Sequence, residues 1–385
     1  MSLAREVFIA GVGQVPVGEH WGLGLRDLGA RALRAALADA GLGTIDALCV
    51  GNMLGGSLNG QENVATLVAD AAGLRHAEAW KVEAACASGA AAVRSAVLAV
   101  AAGAHERVAA VGLEKMTDGP PDVVASGLAT ASDQDYEASH GLSFVALAAL
   151  LMRRYLHETG KARQDFAPFA LEAHRNAATN EHAMFREPIT AEQFARSPLV
   201  APPIALLDAA PICDGAAAVI VCSREALRPG ERAVRVAASA AATDTIDLAS
   251  REDVLVLGGA AVSARRAFEA ARCGPADVDF FEAHDAFTIM TALSVEACGF
   301  AARGRALDLA AEGAFSRGGR WPLSTFGGLK ARGHPVGASG AYQIVEAALQ
   351  LRGQAGPNQV PGARRGLTQS IGGHGSVIVT HLLEA

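Results

Sequence analysis

Apolar runs of two kinds alternate along the first third of the chain, and they predict strands and helices in turn. Val7 to Val12, Asp46 to Val50 and Arg107 to Gly112 are short apolar runs that predict buried strands. Leu25 to Ala40 repeats its apolar residues at helical spacing and stops at a glycine, and Ala84 to Ala102 predicts a helix of small residues. This alternation predicts an α/β unit built on a parallel or mixed sheet.

The same order of elements recurs after about residue 230. The pattern there predicts strands and helices in the order Ala233 to Ala238, Asp253 to Arg272, Val278 to Ala283, Pro335 to Arg352 and Ser376 to Leu383. Ala87-Ser-Gly-Ala90 also recurs as Ala338-Ser-Gly-Ala341, each time at the start of a predicted helix. We therefore predict two repeated βαβαβ halves, residues 1–230 and 231–385.

A polar segment with many interruptions lies inside the first half. Thr117 to Pro203 contains a Pro-Pro pair and scattered histidines, and Asp214 to Cys222 then returns as a buried strand. A position between two core strands predicts a loop domain inserted at about 117–203. Such insertions commonly shape a substrate site.

Composition narrows the class of protein. The 385 residues exceed one simple core, which agrees with two halves. A net charge of −7 without a basic stripe excludes a nucleic-acid surface, and no apolar run is long enough to span a bilayer. The N-terminus lacks the layout of a signal peptide, and six cysteines without metal-ligand spacing indicate reduced thiols and no metal site. We predict a cytoplasmic protein that does not bind membranes.

Cys86 has the setting of a nucleophile. It stands at the mouth of a predicted helix, where free N–H groups and the partial positive charge of the helix end favour a thiolate. Small residues on both sides would give a substrate access to the sulfur. A buried structural cysteine is the alternative, and position alone leaves both interpretations open.

Two histidines at element ends are candidate partners of Cys86. His284 follows a predicted strand, and strand ends are where the sites of α/β sheets collect. His334 precedes the second repeated helix, in a glycine-rich loop whose Gly337 is the counterpart of Cys86 in the repeat. Facing helix mouths would bring His334 to Cys86, and a Cys–His pair makes an activated thiolate nucleophile. For any one histidine, a structural hydrogen-bonded role is the alternative.

Two further loop features are candidates for binding a substrate. The glycine-rich segment Ser370 to Gly375 precedes the last predicted strand, and its backbone N–H groups are candidates for an oxyanion hole. Lys330 and Arg332 lie in the loop before His334 and are candidates for contact with a phosphate. Solvated loop positions are the alternative for these two cations.

These blocks together resemble the thiolase superfamily over essentially the whole chain. Cys86-Ala87-Ser88 is similar to its CxS block, Gly333-His334-Pro335 to its GHP block, and Asp214 to Ala218 to its DGAAA strand. His284-Asp285-Ala286-Phe287 is similar to the HDxF block of sterol-carrier-protein-type thiolases. The resemblance implies an α/β fold with a five-layer αβαβα core, an inserted loop domain and a tight homodimer.

The same resemblance implies roles for individual residues. Cys86 would carry the acyl group and His334 would activate it, while His284 and His334 would bind one thioester oxygen. The backbone N–H groups of Cys86 and Gly372 would bind the other. The substrates would be coenzyme A thioesters, with no permanently bound cofactor. Complex-forming relatives also imply a small zinc-ribbon/OB-fold partner protein that helps to bind coenzyme A.

The chain departs from the family where carbon–carbon chemistry needs an acid/base. The last family motif, CxG, is Ser370-Ile371-Gly372 here, and the cysteine of an HDCF block is Ala286. A serine hydroxyl is far too weak an acid to replace a thiol near neutral pH, which leaves His374 as the candidate to compensate.

Three hypotheses follow from these residues. The first is a thiolase that makes or cleaves a 3-oxoacyl-CoA through Cys86. The second is acyl transfer from Cys86 to a preformed nucleophilic acceptor without an enolate, as a subunit of a heteromeric complex. The missing acid/base cysteines favour the second hypothesis, whereas family frequency favours the first. The third is a scaffold subunit with a decayed site, and the intact Cys86, His284 and His334 argue against it.

Overall fold

The computed structural model describes residues 3–228, 230 and 232–385. Within them the chain forms eleven strands. The strands are β1 Val7–Gln14, β2 Ala47–Gly51, β3 Glu78–Val82, β4 Arg107–Glu114, β5 Leu199–Ala201, β6 Ile204–Ala205, β7 Gly215–Ser223, β8 Val234–Thr243, β9 Phe280–Glu282, β10 Arg365–Gly372 and β11 Val377–Glu384. β5 and β6 form a small hairpin, and the other nine strands form one sheet.

Helices cover and divide this sheet. They are α1 Leu25–Asp39, α2 Gly55–Asn59, α3 Val64–Ala72, α4 Ser88–Ala101, α5 Pro121–Ala129, α6 Phe144–Thr159, α7 Ala167–Ala177, α8 Ala191–Arg196, α9 Gly258–Ala271, α10 Thr288–Ala297, α11 Ala306–Ala311 and α12 Ser339–Leu351. Short 3₁₀ turns at Ala85–Ala87 and Val336–Ala338 run directly into α4 and α12.

The sheet has an internal repeat. Its strand order is β3-β2-β4-β7-β1-β8-β11-β10-β9, so β1 and β8, the first strand of each half, are neighbours at the middle. In both halves the first strand pairs antiparallel with the last, and the penultimate strand comes next. The predicted repeat of two α/β halves is therefore confirmed. The predicted division at 230–231 stays a prediction, because residue 231 lies outside the described residues.

Five layers result from this repeat. α1 and α3 pack on the outer face of the first half, and α9 packs on β8 and β11 of the second. α4 and α12 lie between the halves, because each contacts strands of both. Their close crossing requires a glycine: a Cβ on Gly89 of α4 would lie 2.7 Å from the carbonyl oxygen of Gly337. The predicted αβαβα arrangement is confirmed.

The segment predicted as a loop domain holds α5 to α8 and β5, and β6 follows directly after it. Its bounds at about 117–203 stay a prediction. β3 and β10 were not anticipated by the sequence patterns, so Ser370 and Gly372 lie on a core strand rather than in a loop. Among the described residues, no helix combines the length and the apolar character needed to cross a bilayer.

Candidate active site

Cys86 lies in a tight turn at the start of the first middle-layer helix. The 3₁₀ turn Ala85–Ala87 leads into α4, and Ala85 takes a left-handed backbone with φ of +48°. Such a conformation is uncommon for a residue with a side chain, and strained positions of this kind cluster at functional sites. Cys86 itself is 7% exposed and contacts an apolar group of residues that includes Met116 and Val336.

The matching turn of the second half faces Cys86, as the repeat predicts. Val336–Ala338 leads into α12 and packs against the turn Ala85–Ala87. Glu114, at the end of β4, ties this turn to the first half: Oε2 accepts hydrogen bonds from the N–H groups of Gly337 and Met53, both at 3.0 Å. Oε1 accepts from the N–H of Leu54 at 3.0 Å and from the side chain of Asn52 at 2.7 Å.

A cavity of about 360 Å³ opens beside Cys86. Its wall contains Cys86, His284, His334 and His374 together. The rest of the wall is mainly apolar and includes Met116, Leu128, Phe144, Val145, Val200, Leu206, Ile212, Phe287 and Met290. One thiol and three imidazoles therefore share a largely apolar cavity, and fixed dipoles act most strongly on a reacting group in such a setting.

The tautomer of His334 follows from its neighbours. Nδ1 lies 2.7 Å from Oγ of Ser339, and this hydroxyl donates to the carbonyl of Pro335 at 3.3 Å. Since the hydroxyl proton is directed at Pro335, Oγ accepts a hydrogen bond from Nδ1–H. The lone pair of His334 is then on Nε2. Burial lowers the pKa of His334 well below its ordinary value, so the ring is neutral.

His284 packs edge-on against His334. The two ring centroids are 5.2 Å apart and the planes are nearly perpendicular, at 87°. Burial lowers the pKa of His284 to about 3, and Nδ1 has no hydrogen-bond partner among the described residues. Neutral His284 can donate an N–H to a developing oxyanion, whereas the one N–H of neutral His334 is already bonded to Ser339, which contradicts the expected oxyanion role of His334.

His374 reaches the cavity from the segment after β10. Its ring stacks on Phe144 with centroids 4.4 Å apart, and Nε2 donates to the carbonyl of Phe144 at 3.1 Å. Because a carbonyl can only accept, the proton is on Nε2 and Nδ1 carries the lone pair. Burial lowers the pKa of His374 to about 4. The ring is therefore a neutral base in the wall of the cavity.

The expected resting thiolate of Cys86 is wrong. Burial raises the pKa of the Cys86 thiol to about 12, and the nearby charge of Glu114 adds to the effect. The 3₁₀ turn and the apolar surroundings outweigh the helix end, because desolvation disfavours the charged form. Thiol and neutral imidazole are therefore the resting forms in this cavity.

Two residues of the glycine-rich segment Ser370 to Gly375 differ from expectation. Ser370 is not part of the cavity wall, and its hydroxyl donates to Oε1 of Gln343. Gly372 packs against the nucleophile turn, since a Cβ there would lie 2.3 Å from the carbonyl of Ala84. The amide of the next residue, Gly373, acts together with that of Cys86 itself to lower the pKa of the Cys86 thiol. Ser370 is thereby removed from the candidate acid/base groups.

The predicted phosphate contact of Lys330 and Arg332 is contradicted by burial. Lys330 is 2% exposed and donates to the carbonyl of Asp208 at 2.6 Å. Arg332 is fully buried, with Nε 2.9 Å from Glu346 and its guanidinium over the ring of Tyr342. Neither cation is available to a phosphate at the surface. They hold the loop of His334 onto α12 and its surroundings.

Comparison with models of known protein families shows which family the chain belongs to. The family model "Thiolase, N-terminal domain" matches residues 7–225, and "Thiolase C-terminal domain-like" matches residues 240–385. The chain belongs to the thiolase family. Members of this family are acyltransferases, so the enzyme class predicted from the motifs is confirmed.

Relatives of this thiolase match over its full length. An acetyl-CoA acetyltransferase of Methanothermobacter thermautotrophicus is 43% identical, over 98% of this chain and 99% of its own. Human sterol carrier protein 2 is 30% identical, over 98% of this chain and 71% of its own, which confirms the predicted resemblance to sterol-carrier-protein-type thiolases. The structure of the Ltp2-ChsH2(DUF35) aldolase superposes with a TM-score of 0.86 at 27% identity, over 100% of this chain and 99% of that chain.

Sequence reasoning missed two residues of this thiolase site. Glu114 gave no local signal, because its four hydrogen-bond donors come from segments distant along the chain. Ser339 did give a signal, because it is the counterpart of Ser88 in the repeated Ala-Ser-Gly-Ala tetrapeptide. The repeat predicted two matching helices but not that this serine bonds to His334. Glu114 holds the turn next to Cys86 and Ser339 holds the ring of His334, and neither side chain lines the cavity.

Proposed function

We propose that the protein is an acyl-CoA acyltransferase that carries an acyl group on Cys86 and makes or cleaves a 3-oxoacyl-CoA. The observation that carries this proposal is the shared cavity of Cys86, His284, His334 and His374. The tautomer of His334 adds to it, because its free Nε2 is the nitrogen able to take the thiol proton.

The first half-reaction forms a thioester on Cys86. The sulfur attacks the carbonyl carbon of an acyl-CoA while its proton passes to Nε2 of His334. The N–H groups of Cys86 and of the Gly372–Gly373 segment stabilise the oxyanion on that carbonyl. When the tetrahedral intermediate collapses, the carbon–sulfur bond to coenzyme A breaks, and the leaving thiolate takes the proton back from His334. Free coenzyme A and acyl-Cys86 result.

The second half-reaction forms or breaks a carbon–carbon bond. His374 removes a proton from the carbon next to the carbonyl of a second acyl-CoA, whose enolate oxygen is bound by the N–H of His284. The enolate carbon attacks the Cys86 thioester and expels the sulfur as a thiolate. The Cys86 thiolate takes up the proton that His374 removed, which restores the thiol and the neutral imidazole, and 3-oxoacyl-CoA leaves. Thiolysis is the same path in reverse.

The second candidate function is acyl transfer to an acceptor that is already nucleophilic. One observation favours it: the cavity wall holds no sulfur acid/base besides Cys86, because Ala286 lines the wall and Ser370 does not. In this reaction the first half-reaction is unchanged, and His374 would not exchange carbon-bound protons.

The assembly proposed here is a homodimer that also binds a small zinc-ribbon/OB-fold protein. β3 is an edge strand of the sheet and offers its free hydrogen-bonding edge to a second copy. Val200, Leu206 and Ile212 at the cavity are 54%, 58% and 39% exposed, an apolar rim suited to a covering partner. The similar Ltp2-ChsH2(DUF35) assembly supports this partner. All six cysteines are free thiols, which supports a cytoplasmic location.

Intact-protein mass spectrometry tests the proposed function. Incubation with acetyl-CoA or hexanoyl-CoA is expected to add one acyl group to the wild-type chain. The adduct persists in Cys273→Ala, which removes a partly exposed cysteine, and is lost in Cys86→Ala. An adduct that remains in Cys86→Ala removes Cys86 as the acyl carrier.

A further inference from the structure

The turn that carries Cys86 is closed by two side chains. Oε1 of Glu83 accepts a hydrogen bond from the N–H of Ala85 at 2.6 Å. Oγ of Ser88 accepts from the N–H of Ala84 at 2.9 Å and donates to the carbonyl of Ala85 at 2.6 Å. The carbonyl of Ala84 accepts from the N–H of Ala87 at 2.9 Å. Every polar backbone group of Ala84 and Ala85 thus has a partner.

This arrangement leaves one amide of the turn beside the reaction centre. The backbone amides of Cys86 and Gly373 both act to lower the pKa of the Cys86 thiol, so both lie close to its sulfur. The placement of the Cys86 amide depends on the left-handed conformation of Ala85, with φ of +48°. A residue with a side chain needs support from its surroundings to hold that conformation. Glu83 gives this support by accepting a hydrogen bond from the N–H of Ala85. The serine is fully buried, whereas Glu83 is exposed and can be replaced without disturbing the core.

We propose that Glu83 is a positioning residue for Cys86: its carboxylate holds the Ala85 amide so that the Cys86 N–H faces the oxyanion of the acylation step. This inference rests on the proposed acyl transfer. Glu83 has no contact with the cavity and acts only through the backbone of the turn. A misplaced donor costs rate because an oxyanion hole works through fixed geometry.

Glu83 also acts through its charge. Its carboxylate raises the pKa of Cys86, in the same direction as burial and Glu114. The other titratable groups around the sulfur are the neutral imidazoles of His284, His334 and His374 in the cavity wall. Glutamine at position 83 keeps an acceptor oxygen without the charge, whereas alanine keeps neither. Comparing Glu83→Gln with Glu83→Ala therefore separates the effect of the hydrogen bond to Ala85 from the effect of the negative charge.

Two reactions of Cys86 distinguish positioning from loss of structure. Alkylation by iodoacetamide has no oxyanion, whereas acylation by acyl-CoA forms one. We expect Glu83→Ala to acylate Cys86 on the order of 10- to 100-fold more slowly, with its limiting alkylation rate at high pH unchanged. Glu83→Gln restores most of the acylation rate, and in both variants the alkylation midpoint moves to lower pH. Glu78→Gln, an exposed change at the other end of β3, leaves both reactions unchanged.

Several outcomes would overturn the inference. Acylation of Glu83→Ala at the wild-type rate shows that the turn needs no support from Glu83. An equal loss in Glu83→Gln and Glu83→Ala shows that the hydrogen bond is not the cause. A parallel fall of acylation and limiting alkylation in Glu83→Ala shows general damage to the turn. A wild-type chain that is alkylated but never acylated contradicts the proposed function itself, and is recognised without any variant.

Discussion

Oγ of Ser339 lies 2.7 Å from Nδ1 of His334 and fixes which nitrogen of that ring carries the proton. In the repeat, Ser339 is the counterpart of Ser88, which closes the turn of Cys86. Each serine is the first residue of a middle-layer helix. One tetrapeptide, used twice, therefore holds the turn of Cys86 in one half and the ring of His334 in the other. The pseudo-symmetry of the fold thus places both serines next to the proposed reacting pair.

Removing the hydroxyl of Ser339 should slow the acylation of Cys86 and leave the fold intact. In Ser339→Ala, Nδ1–H of His334 loses its acceptor and the ring is free to change tautomer. We expect single-turnover acylation of Cys86 to slow on the order of 10- to 100-fold, a share of what acid–base groups contribute. Ser126→Ala, whose hydroxyl bonds only within α5, serves as the control and keeps the wild-type rate. An unchanged rate in Ser339→Ala contradicts the assigned tautomer.

His381 should make stability depend on pH. It is fully buried on β11, neither ring nitrogen has a hydrogen-bond partner among the described residues, and burial lowers its pKa to about 3. The unfolded chain takes up a proton there below its ordinary pKa of about 6.5, while the folded chain stays neutral until about 3. The neutral, buried His381 therefore lowers the free energy of unfolding as pH falls below 6.5, by on the order of 2 kcal/mol at pH 5.

Replacement of His381 tests this linkage. His381→Leu should be more stable than the wild type, and by a larger margin at pH 5 than at pH 7.5, in urea unfolding followed at each pH. The exposed His140 offers the matched control, since His140→Leu should show no such pH-dependent gain. A margin for His381→Leu that is equal at both pH values means that the folded chain also protonates His381.

The sequence patterns predicted the fold well where residues repeat and poorly where partners are distant. The central strands and both middle-layer helices followed from apolar runs and from the Ala-Ser-Gly-Ala repeat. β3 was missed because Glu78 to Val82 mixes charged and apolar residues on a half-exposed edge. β10 was missed because the glycines at its end suggest a loop. Propensity is a weak guide where a neighbouring strand supplies the pairing.

The candidate site was also predicted well where local sequence patterns mark a residue, and poorly where a distant partner decides its surroundings. Cys86, His284 and His334 stand at element ends, and the structure brings them into one cavity with His374. The cations Lys330 and Arg332 were misjudged because a loop sequence does not show that α12 covers it. Glu346, the partner of Arg332, lies fourteen residues further along the chain on that helix. Long-range burial of this kind leaves no trace in local pattern.

The cavity should accept acyl groups larger than acetyl. Its wall is largely apolar, and Met116 packs beside Cys86 with 2% of its surface exposed. We expect hexanoyl-CoA to acylate the wild type at least as fast as acetyl-CoA. Met116→Trp should slow hexanoyl transfer on the order of 10-fold or more and spare acetyl transfer, because added volume next to Cys86 excludes the longer chain. Leu98→Trp, an exposed change on α4, is the control.

His374 should be the base that exchanges carbon-bound protons. Its Nε2–H is committed to the carbonyl of Phe144, so Nδ1 is the basic nitrogen, and the ring lines the cavity that holds Cys86. Incubation with acetyl-CoA in deuterated water is expected to replace the methyl protons with deuterium, as followed by mass spectrometry of the recovered thioester. In His374→Ala this exchange should fall on the order of 100-fold or more, the usual scale for loss of a positioned base. Acylation of Cys86 should persist in that variant.

Ser370→Ala is the control and keeps the exchange, because the Ser370 hydroxyl is bonded to Gln343 outside the cavity wall. Rapid acylation of the wild type with no exchange at all would instead establish transfer to a preformed nucleophile, and loss of exchange in Ser370→Ala alone would assign the proton to the serine.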